Sequence, residues 1–193
     1  MKTAILILLT MLATVGAAAP AHAEPTYTVV LAGGSAQNTI HIWLSPDGRS
    51  YVIDSVVPLE VGGTICEHTP GVATELACKA PLVAGFEVNA GPGDDSISVS
   101  SAIGLPVTMR GGPGNDTLIG GNGPDKLLGG EGNDKVVGRG GDDLLFSGPG
   151  HDELLGGAGN DVLRGGSSDT LRGGSGNNTL VRNGFVLRPT SSG

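Results

Sequence analysis

Residues Gly111 to Arg164 read GGPGNDTLI GGNGPDKLL GGEGNDKVV GRGGDDLLF SGPGHDELL GGAGNDVLR, tandem copies of one nine-residue unit. Further copies are AGPGDDSIS from Ala90, the shortened GGSSDTLR from Gly165 and GGSGNNTLV from Gly173. The consensus is G-G-x-G-x-D-x-U-x, in which U is an apolar residue. A short tandem period of this kind is typical of solenoids, whose repeats are small structural units that stack on their neighbours.

Each unit divides into a turn and a strand. The glycines favour a tight turn over the first six residues, because glycine tolerates positive φ and close backbone approach. The last three residues form a short strand whose middle residue, at position 8, faces a common interior. The residues at position 8 are Ile97, Leu118, Leu127, Val136, Leu145, Leu154, Leu163, Leu171 and Leu180. A disordered Gly/Asp-rich linker is the alternative, but a linker has no reason to keep an apolar residue at this position.

Position 6 of the unit is a carboxylate in almost every copy. These residues are Asp95, Asp116, Asp125, Asp134, Asp143, Asp152, Asp161 and Asp169, with Asn178 in the last copy. If two units make one coil, acids two units apart stack at about 4.8 Å, the spacing of paired strands. Carboxylates this close repel one another without a cation. Ca²⁺ suits them because it takes about six to eight hard oxygen ligands in a flexible geometry.

These units resemble the repeats-in-toxin (RTX) nonapeptides, a calcium-binding family. The resemblance implies an all-β fold, a right-handed parallel β-roll, with a less regular β-rich N-terminal capping region. It implies that calcium lies between the Asp of one unit and that of the unit two further on. One edge would then pair Asp116, Asp134, Asp152 and Asp169 in turn, and the other Asp125, Asp143, Asp161 and Asn178.

The same resemblance adds turn glycines to the expected metal site. They are Gly112, Gly114, Gly121, Gly123, Gly130, Gly132, Gly141, Gly148, Gly150, Gly157 and Gly159. Three departures weaken individual sites. Gly165 to Arg172 is one residue short, Asn178 replaces an acid, and Asp95 lies 21 residues before Asp116 instead of 18.

The amino terminus predicts export. Met1-Lys2, the apolar run Ala4 to Val15 and the A-x-A site Ala21 to Ala23 are typical of a Sec signal peptide over residues 1–23. A membrane anchor is the alternative, but the run is too short to span a bilayer comfortably. No later segment is apolar enough to do so. We therefore expect a small Sec-exported type of RTX protein, secreted to the extracellular space and beginning at Glu24.

Residues 24–88 are expected to form a β-rich N-terminal region that caps the solenoid, residues 89–181 the calcium-binding roll, and residues 182–193 a C-terminal tail. The stretch Gly33 to His41 fits a degenerate unit with Asn38 at position 6. Trp43, Tyr27 and Tyr51 are expected to close the cap, the alternative being a ligand platform.

The two cysteines, Cys66 and Cys78, predict a disulfide in an exported chain. A metal site that adds His68 is the alternative, although a fourth ligand at a usual spacing is missing.

The chain carries 19 acidic and 11 basic residues, a net charge of −8 that becomes −9 if Lys2 is removed. This surface argues against nucleic acid and anionic membrane partners. No G-x-S-x-G or H-E-x-x-H motif is present, and His41, His68 and His151 are far apart in sequence. Paired Asp residues could serve glycoside hydrolysis, but their regular turn positions are better explained by calcium.

We therefore expect a non-catalytic protein that folds on calcium and acts as an extracellular structural or adhesin-like module, with a protein or polysaccharide partner. The alternative is a small extracellular hydrolase or lyase that uses the solenoid face as a substrate groove. Position 9 offers two apolar stripes for a partner, unless the cap or irregular packing covers them. They are Ile119, Val137 and Leu155 on one sheet and Leu128 and Phe146 on the other.

Overall fold

The nine-residue units form turns and short parallel strands, and two units complete one coil of a β-solenoid of about five turns. The computed structural model describes residues 5–10, 27–34, 37–55, 59–60, 66–68 and 75–187. Within these residues the only helical element is a single 3₁₀ turn, Ala80–Leu82. The all-β parallel solenoid predicted from the repeats is therefore confirmed.

The strands alternate between two sheets. In chain order they are β1 (Ile5–Thr10), β2 (Tyr27–Ala32), β3 (Thr39–Leu44), β4 (Ser50–Ser55), β5 (Leu59–Glu60), β6 (Cys66–His68), β7 (Glu75–Lys79), β8 (Val83–Asn89), β9 (Ser96–Val99), β10 (Val107–Pro113), β11 (Thr117–Ile119), β12 (Lys126–Glu131), β13 (Lys135–Gly140), β14 (Leu144–Phe146), β15 (Glu153–Ala158), β16 (Val162–Gly165), β17 (Thr170–Ser175), β18 (Thr179–Arg182) and β19 (Phe185–Leu187). Sheet I has the order β19-β18-β16-β14-β12-β10-β8-β2-β1-β5, and sheet II has the order β17-β15-β13-β11-β9-β3-β4-β7-β6.

The register of the parallel strands follows the repeat. Leu127 pairs with Leu145 and Leu145 with Leu163 in sheet I, while Leu118 pairs with Val136 in sheet II. The residues at position 8 from Ile97 to Leu163 are fully buried between the two sheets. Each contributes about 2 kcal/mol of apolar burial. The core is thus a double column of single aliphatic side chains, and it holds the turns of successive coils in register.

The N-terminal region combines a solenoid coil with an antiparallel extension. Strand β2 pairs in parallel with β8, and β3 pairs in parallel with β9. Asn38 lies between β2 and β3, where the later coils carry the position-6 acid. Beyond β3, sheet II continues with β4, β7 and β6 in antiparallel pairing. This extension covers the first coil, and Tyr51 packs edge-on against Phe86 with ring centroids 5.3 Å apart.

Cys66 and Cys78 form a disulfide between β6 and β7. Both cysteines are buried. The bond consumes both thiols, which removes the alternative of a thiolate metal site with His68. The predicted disulfide is present.

Strands are present near both ends of the described part of the chain. Residues 5–10, inside the expected signal peptide, form β1 against β2, whereas the expected cleavage site and Glu24 lie outside the described residues. Residues 182–187 belong to a hairpin instead of a tail, because β18 extends to Arg182 and β19 folds back on it. The turn of this hairpin is Asn183-Gly184, both with positive φ. Residues 188–193 lie outside the described part.

The 21-residue spacing between Asp95 and Asp116 arises from one long connection. Between β9 and β10 the chain forms a loop over residues 100–106 in place of a Gly-rich turn, and Ile103 fills it as a buried side chain. Val107 follows the loop and is also buried. This coil therefore has a turn with an apolar interior and no carboxylate.

Candidate functional site

The position-6 acids form a ladder along each edge of the solenoid. On the first edge, the backbone N–H groups of Asp95, Asp116 and Asp134 each donate to Oδ1 of the acid in the following coil at 2.8 Å. The N–H of Asp152 donates to Oδ1 of Asp169 at 3.2 Å. Asn38 donates its own N–H to Oδ1 of Asp95 and so joins the N-terminal coil to this ladder.

The second edge carries a shorter ladder. The N–H of Asp125 donates to Oδ1 of Asp143 at 2.8 Å, and that of Asp143 donates to Oδ1 of Asp161 at 3.0 Å. The N–H of Asp161 donates to Oδ1 of Asn178 at 2.8 Å. At the other end, the N–H of Val107 donates to Oδ1 of Asp125. The long loop thus places an apolar residue where the next acid would stand.

In each acid, Oδ1 accepts a hydrogen bond of the ladder. The acids differ in whether Oδ2 also has a hydrogen-bond partner. Oδ2 is buried without a hydrogen-bond partner in Asp95, Asp116, Asp134, Asp143, Asp152 and Asp161. A buried acceptor without a partner costs roughly 1–3 kcal/mol, and more when it is charged. Six such atoms in two regular rows indicate a ligand that supplies positive charge to the turns.

Asp125 and Asp169 are the exceptions among the eight acids. Oδ2 of Asp125 accepts from the N–H of Gly121 at 2.8 Å. Oδ2 of Asp169 accepts from the Ser147 hydroxyl at 2.7 Å and from the N–H of Gly166 at 2.6 Å. The first case adjoins the long loop and the second belongs to the shortened unit. At these two departures from the repeat, protein donors take the place that the other turns leave open.

Glycines lie close to several of these free oxygens, where a larger residue would clash with the carboxylate. A Cβ built on Gly129 would lie 2.4 Å from Oδ2 of Asp134, and one on Gly156 would lie 2.2 Å from Oδ2 of Asp161. Most of the glycines expected at the metal site have positive φ: Gly112, Gly114, Gly130, Gly132, Gly141, Gly148, Gly150, Gly157 and Gly159. Gly121 and Gly123 do not have positive φ, but a Cβ on either would lie 2.5 Å from a carbonyl oxygen of the long loop, that of Ile103 or Leu105.

Burial makes these carboxylates hard to ionise. Together with repulsion from neighbouring acids, it raises the pKa of Asp116 and Asp143 to about 7. Burial also raises the pKa of Asp125 and Asp134 to about 6. Asp169 differs, because hydrogen bonds from Ser147, Gly166 and Asp152 outweigh its burial and leave its pKa below the ordinary value.

The pKa of Asp95, Asp152 and Asp161 is likewise raised by burial. Every acid with a free Oδ2 therefore has a raised pKa.

The donor set fits a hard divalent cation. Within the described residues no three His, Cys, Asp or Glu side chains converge on one point. An ion at these turns would therefore take carboxylates from the ladder and complete its shell with backbone carbonyls, a set that Ca²⁺ accepts. Bound calcium would supply the positive charge that the buried Oδ2 atoms lack.

The outer faces of the sheets carry two features. The position-9 residues are half-buried, and Leu128 and Phe146 line a groove of about 420 Å³ with Pro113 and Pro149.

The second feature could not be recognised from the sequence. On the outer face of sheet II, Nδ1 of His41 lies 2.6 Å from Oγ of Ser98, and Asp54 is the partner of His41 on the next strand. Only the strand register brings these residues together.

Comparisons with known proteins agree with the geometry. The family model of the RTX calcium-binding nonapeptide repeat matches residues 110–145 and 146–180. No curated protein and no solved structure matches the chain significantly. No helix in the described part of the chain is long and apolar enough to cross a bilayer. Residues 110–180 are RTX repeats, as their sequence predicts.

Proposed function

We propose that this RTX repeat protein binds calcium at the turns whose position-6 acid has a buried Oδ2 without a partner. These acids are Asp95, Asp116, Asp134 and Asp152 on the first edge and Asp143 and Asp161 on the second. The six atoms carry the proposal, because a cation is the ligand that would stabilise rows of buried carboxylates. Asp125 and Asp169, also expected as ligands, already receive protein donors on both oxygens and would contribute less.

Calcium would also control folding. Without it, the roll must hold six unsatisfied carboxylate oxygens inside turns whose core is one aliphatic side chain per unit. The antiparallel extension and the disulfide give the N-terminal coil support that the later coils lack. We therefore expect the coils after Asp95 to lose order in chelator and to fold cooperatively as calcium rises to extracellular levels, about 10⁻⁴ to 10⁻³ M.

A calcium titration followed by circular dichroism tests this proposal. The strand signal should grow with calcium and saturate, whereas magnesium at the same concentration should produce little change, because it demands a smaller and more rigid octahedral shell. A strand spectrum that is already complete in chelator, or an equal response to magnesium, would contradict it.

We further propose an extracellular, non-catalytic role as a structural or adhesin-like module. The disulfide supports an oxidising compartment, and the signal-like amino terminus supports export. The half-buried apolar residues on both outer faces, with the groove at Phe146, are the surface that a protein or polysaccharide partner would contact. Two measurements test this role. The mature chain should be found in the culture medium, and the purified chain should bind to cells or matrix with calcium but not in chelator.

The second candidate is a hydrolase, and the observation that favours it is the pair His41 and Ser98 beside Asp54. Ser98 would be the nucleophile and His41 the base. However, Ser98 lies within β9, whose two neighbours β3 and β11 engage its backbone, so β9 lacks free N–H groups to stabilise an oxyanion. Ester hydrolysis by the native protein that is lost in Ser98→Ala would favour the hydrolase; we expect none above background.

A further inference from the structure

In the part of the chain that the structure describes, the C-terminal end of the solenoid is open. Strand β19 is the last strand of sheet I and β17 is the last strand of sheet II. Among the described residues no strand lies outside either of them. A solenoid end with unpaired strands usually needs a cap, because free backbone groups and exposed apolar residues favour association. At this end, the only described element beyond the last coil is the three-residue strand β19.

That strand is short, which limits pairing, but residues 185–187 lack the other features that protect an edge. Phe185 is 77% exposed and Val186 is 66% exposed, and with Leu187 they are the only exposed large hydrophobic residues in the described part of the chain. Natural edge strands are commonly protected by a charged residue, a proline or a bulge, and Phe185-Val186-Leu187 has no charged residue and no proline. The open edge is therefore suited to pairing with another strand.

The hairpin geometry identifies the backbone groups that are available. Arg182 and Phe185 flank the two-residue turn and exchange hydrogen bonds, so the next pair, Val181 and Val186, does not. The N–H and C=O of Val186 consequently point away from β18. They are the central groups of the open edge.

The two ends of the molecule carry opposite charges. From Val162 to Leu187 the chain has three arginines, Arg164, Arg172 and Arg182, and its one acid, Asp169, is buried. Residues 37–89 carry six acids and two basic residues. Exposed Glu67 lies on β6, the strand that ends sheet II at the N-terminal side, and exposed Arg172 lies on β17, the strand that ends the same sheet at the other side.

From these observations we propose that a second copy of this chain docks on the open end, head to tail. The basic, apolar C-terminal end of one copy would meet the acidic N-terminal end of the next, so that Arg172 approaches Glu67 of the partner copy and β19 continues sheet I. A contact between two different ends leaves both outer ends free, and repetition gives an open linear assembly. Two C-terminal ends facing each other would bring arginines together, which disfavours a symmetric dimer. The inference rests on the calcium-folded roll of the proposed function.

Sedimentation velocity of the calcium-loaded protein tests the inference. The average mass should rise with protein concentration without stopping at a dimer, and it should fall at high salt because salt screens the attraction between the ends. Circular dichroism of the same samples separates the two proposals: a protein that does not fold on calcium contradicts the proposed function, whereas a folded protein that stays monomeric overturns this inference.

Two sets of variants identify the contact. Val186→Pro removes the outward N–H without removing a hydrogen bond of the hairpin, and the matched control Val186→Thr keeps it. We expect association about tenfold weaker in the first variant and nearly unchanged in the second. Equal behaviour of the two would overturn the role of this edge.

The charge variants distinguish the two orientations. Arg172→Glu and Glu67→Arg should each weaken association, and the double variant should restore it, because the exchanged charges still attract. If Glu67→Arg has no effect and the mass stops at a dimer, the ends meet symmetrically and the head-to-tail arrangement is wrong.

Discussion

Replacing Asp134 by Asn separates the charge of the ladder from its shape. Asp134 lies in the middle of the first ladder, where its Oδ1 accepts the N–H of Asp116 at 2.8 Å and its Oδ2 has no partner. Asn178 occupies the same position on the other edge, and its Oδ1 accepts the N–H of Asp161 at 2.8 Å. An amide therefore fits the ladder, and Asp134→Asn removes the carboxylate charge while it keeps the hydrogen bond.

The substitution should have opposite effects with and without calcium. Burial raises the pKa of Asp134 from its ordinary value of 3.8 to about 6, which corresponds to a destabilisation of the calcium-free fold at neutral pH of about 3 kcal/mol at most. Solvent screening at the turn reduces this destabilisation to about 1 kcal/mol. The Asn variant lacks the charge, so its calcium-free fold should be more stable by that amount. With calcium, the variant loses a charged ligand, a loss of about 1.5–3 kcal/mol that raises the calcium midpoint about 10- to 100-fold.

Calcium titrations by circular dichroism, with chelator as the starting point, measure both effects on one sample. The matched control is Asp169→Asn, since both oxygens of Asp169 accept from protein donors. An amide nitrogen there would face the Ser147 hydroxyl or the Gly166 N–H, so the control should lose stability similarly with and without calcium. Equal calcium midpoints for the two variants, or less strand signal in chelator for Asp134→Asn than for the native protein, would refute the reasoning.

Three further predictions concern pH, the turns and processing. In chelator, lowering the pH from neutral to about 5 should increase the strand signal of the roll. The pKa values of Asp116 and Asp143 are higher in the folded chain than in the unfolded chain. The folded chain therefore binds more protons, and its stability falls as the pH rises through that window. A flat pH profile in chelator would count against the raised pKa values. Gly130→Ala should prevent the roll from forming, as judged by circular dichroism. Gly130 has φ +129°, and an added Cβ would lie 1.9 Å from the carbonyl oxygen of Gly112. The control Gly48→Ala, at φ +69° with open space around it, should have a much smaller effect. The intact mass of the secreted protein should correspond to a chain that begins at Glu24 with Cys66 and Cys78 disulfide-bonded, and a mass that retains residues 1–23 would contradict the export argument.

The sequence was sufficient to predict the fold because the repeat constrains it at every level. The glycines, the acid and the single aliphatic residue recur with one period, so the turn, the strand and the buried column at Leu127 and Leu145 follow from local rules. The period also predicts which acids stack, since residues 18 apart face the same edge. The consensus pattern does not distinguish Asp125 from Asp134, however, and the different hydrogen bonding of their Oδ2 atoms could not be predicted from it.

The differences between individual sites depend on contacts outside the unit. Asp169 receives the Ser147 hydroxyl from 22 residues away, and Asp125 faces a loop that the repeat pattern does not describe. The pair of His41 and Ser98 is 57 residues apart and meets only through the parallel pairing of β3 with β9. The turn at Asn183-Gly184 carries a recognisable local hairpin signal, and this signal could have predicted β19 in place of a tail.

The bond from the N–H of Asn38 to Asp95 also has a kinetic consequence. It places the first rung of the ladder on a coil that is already supported by the antiparallel extension and the disulfide, neither of which involves an acid of the repeat. In a linear array the slow event is the formation of the first ordered unit, after which each neighbour adds to an existing template. Because the N-terminal coil precedes the repeats in the chain, it can act as a folding nucleus for them. We expect calcium to order the coils one after another, from Asp95 toward Asn178.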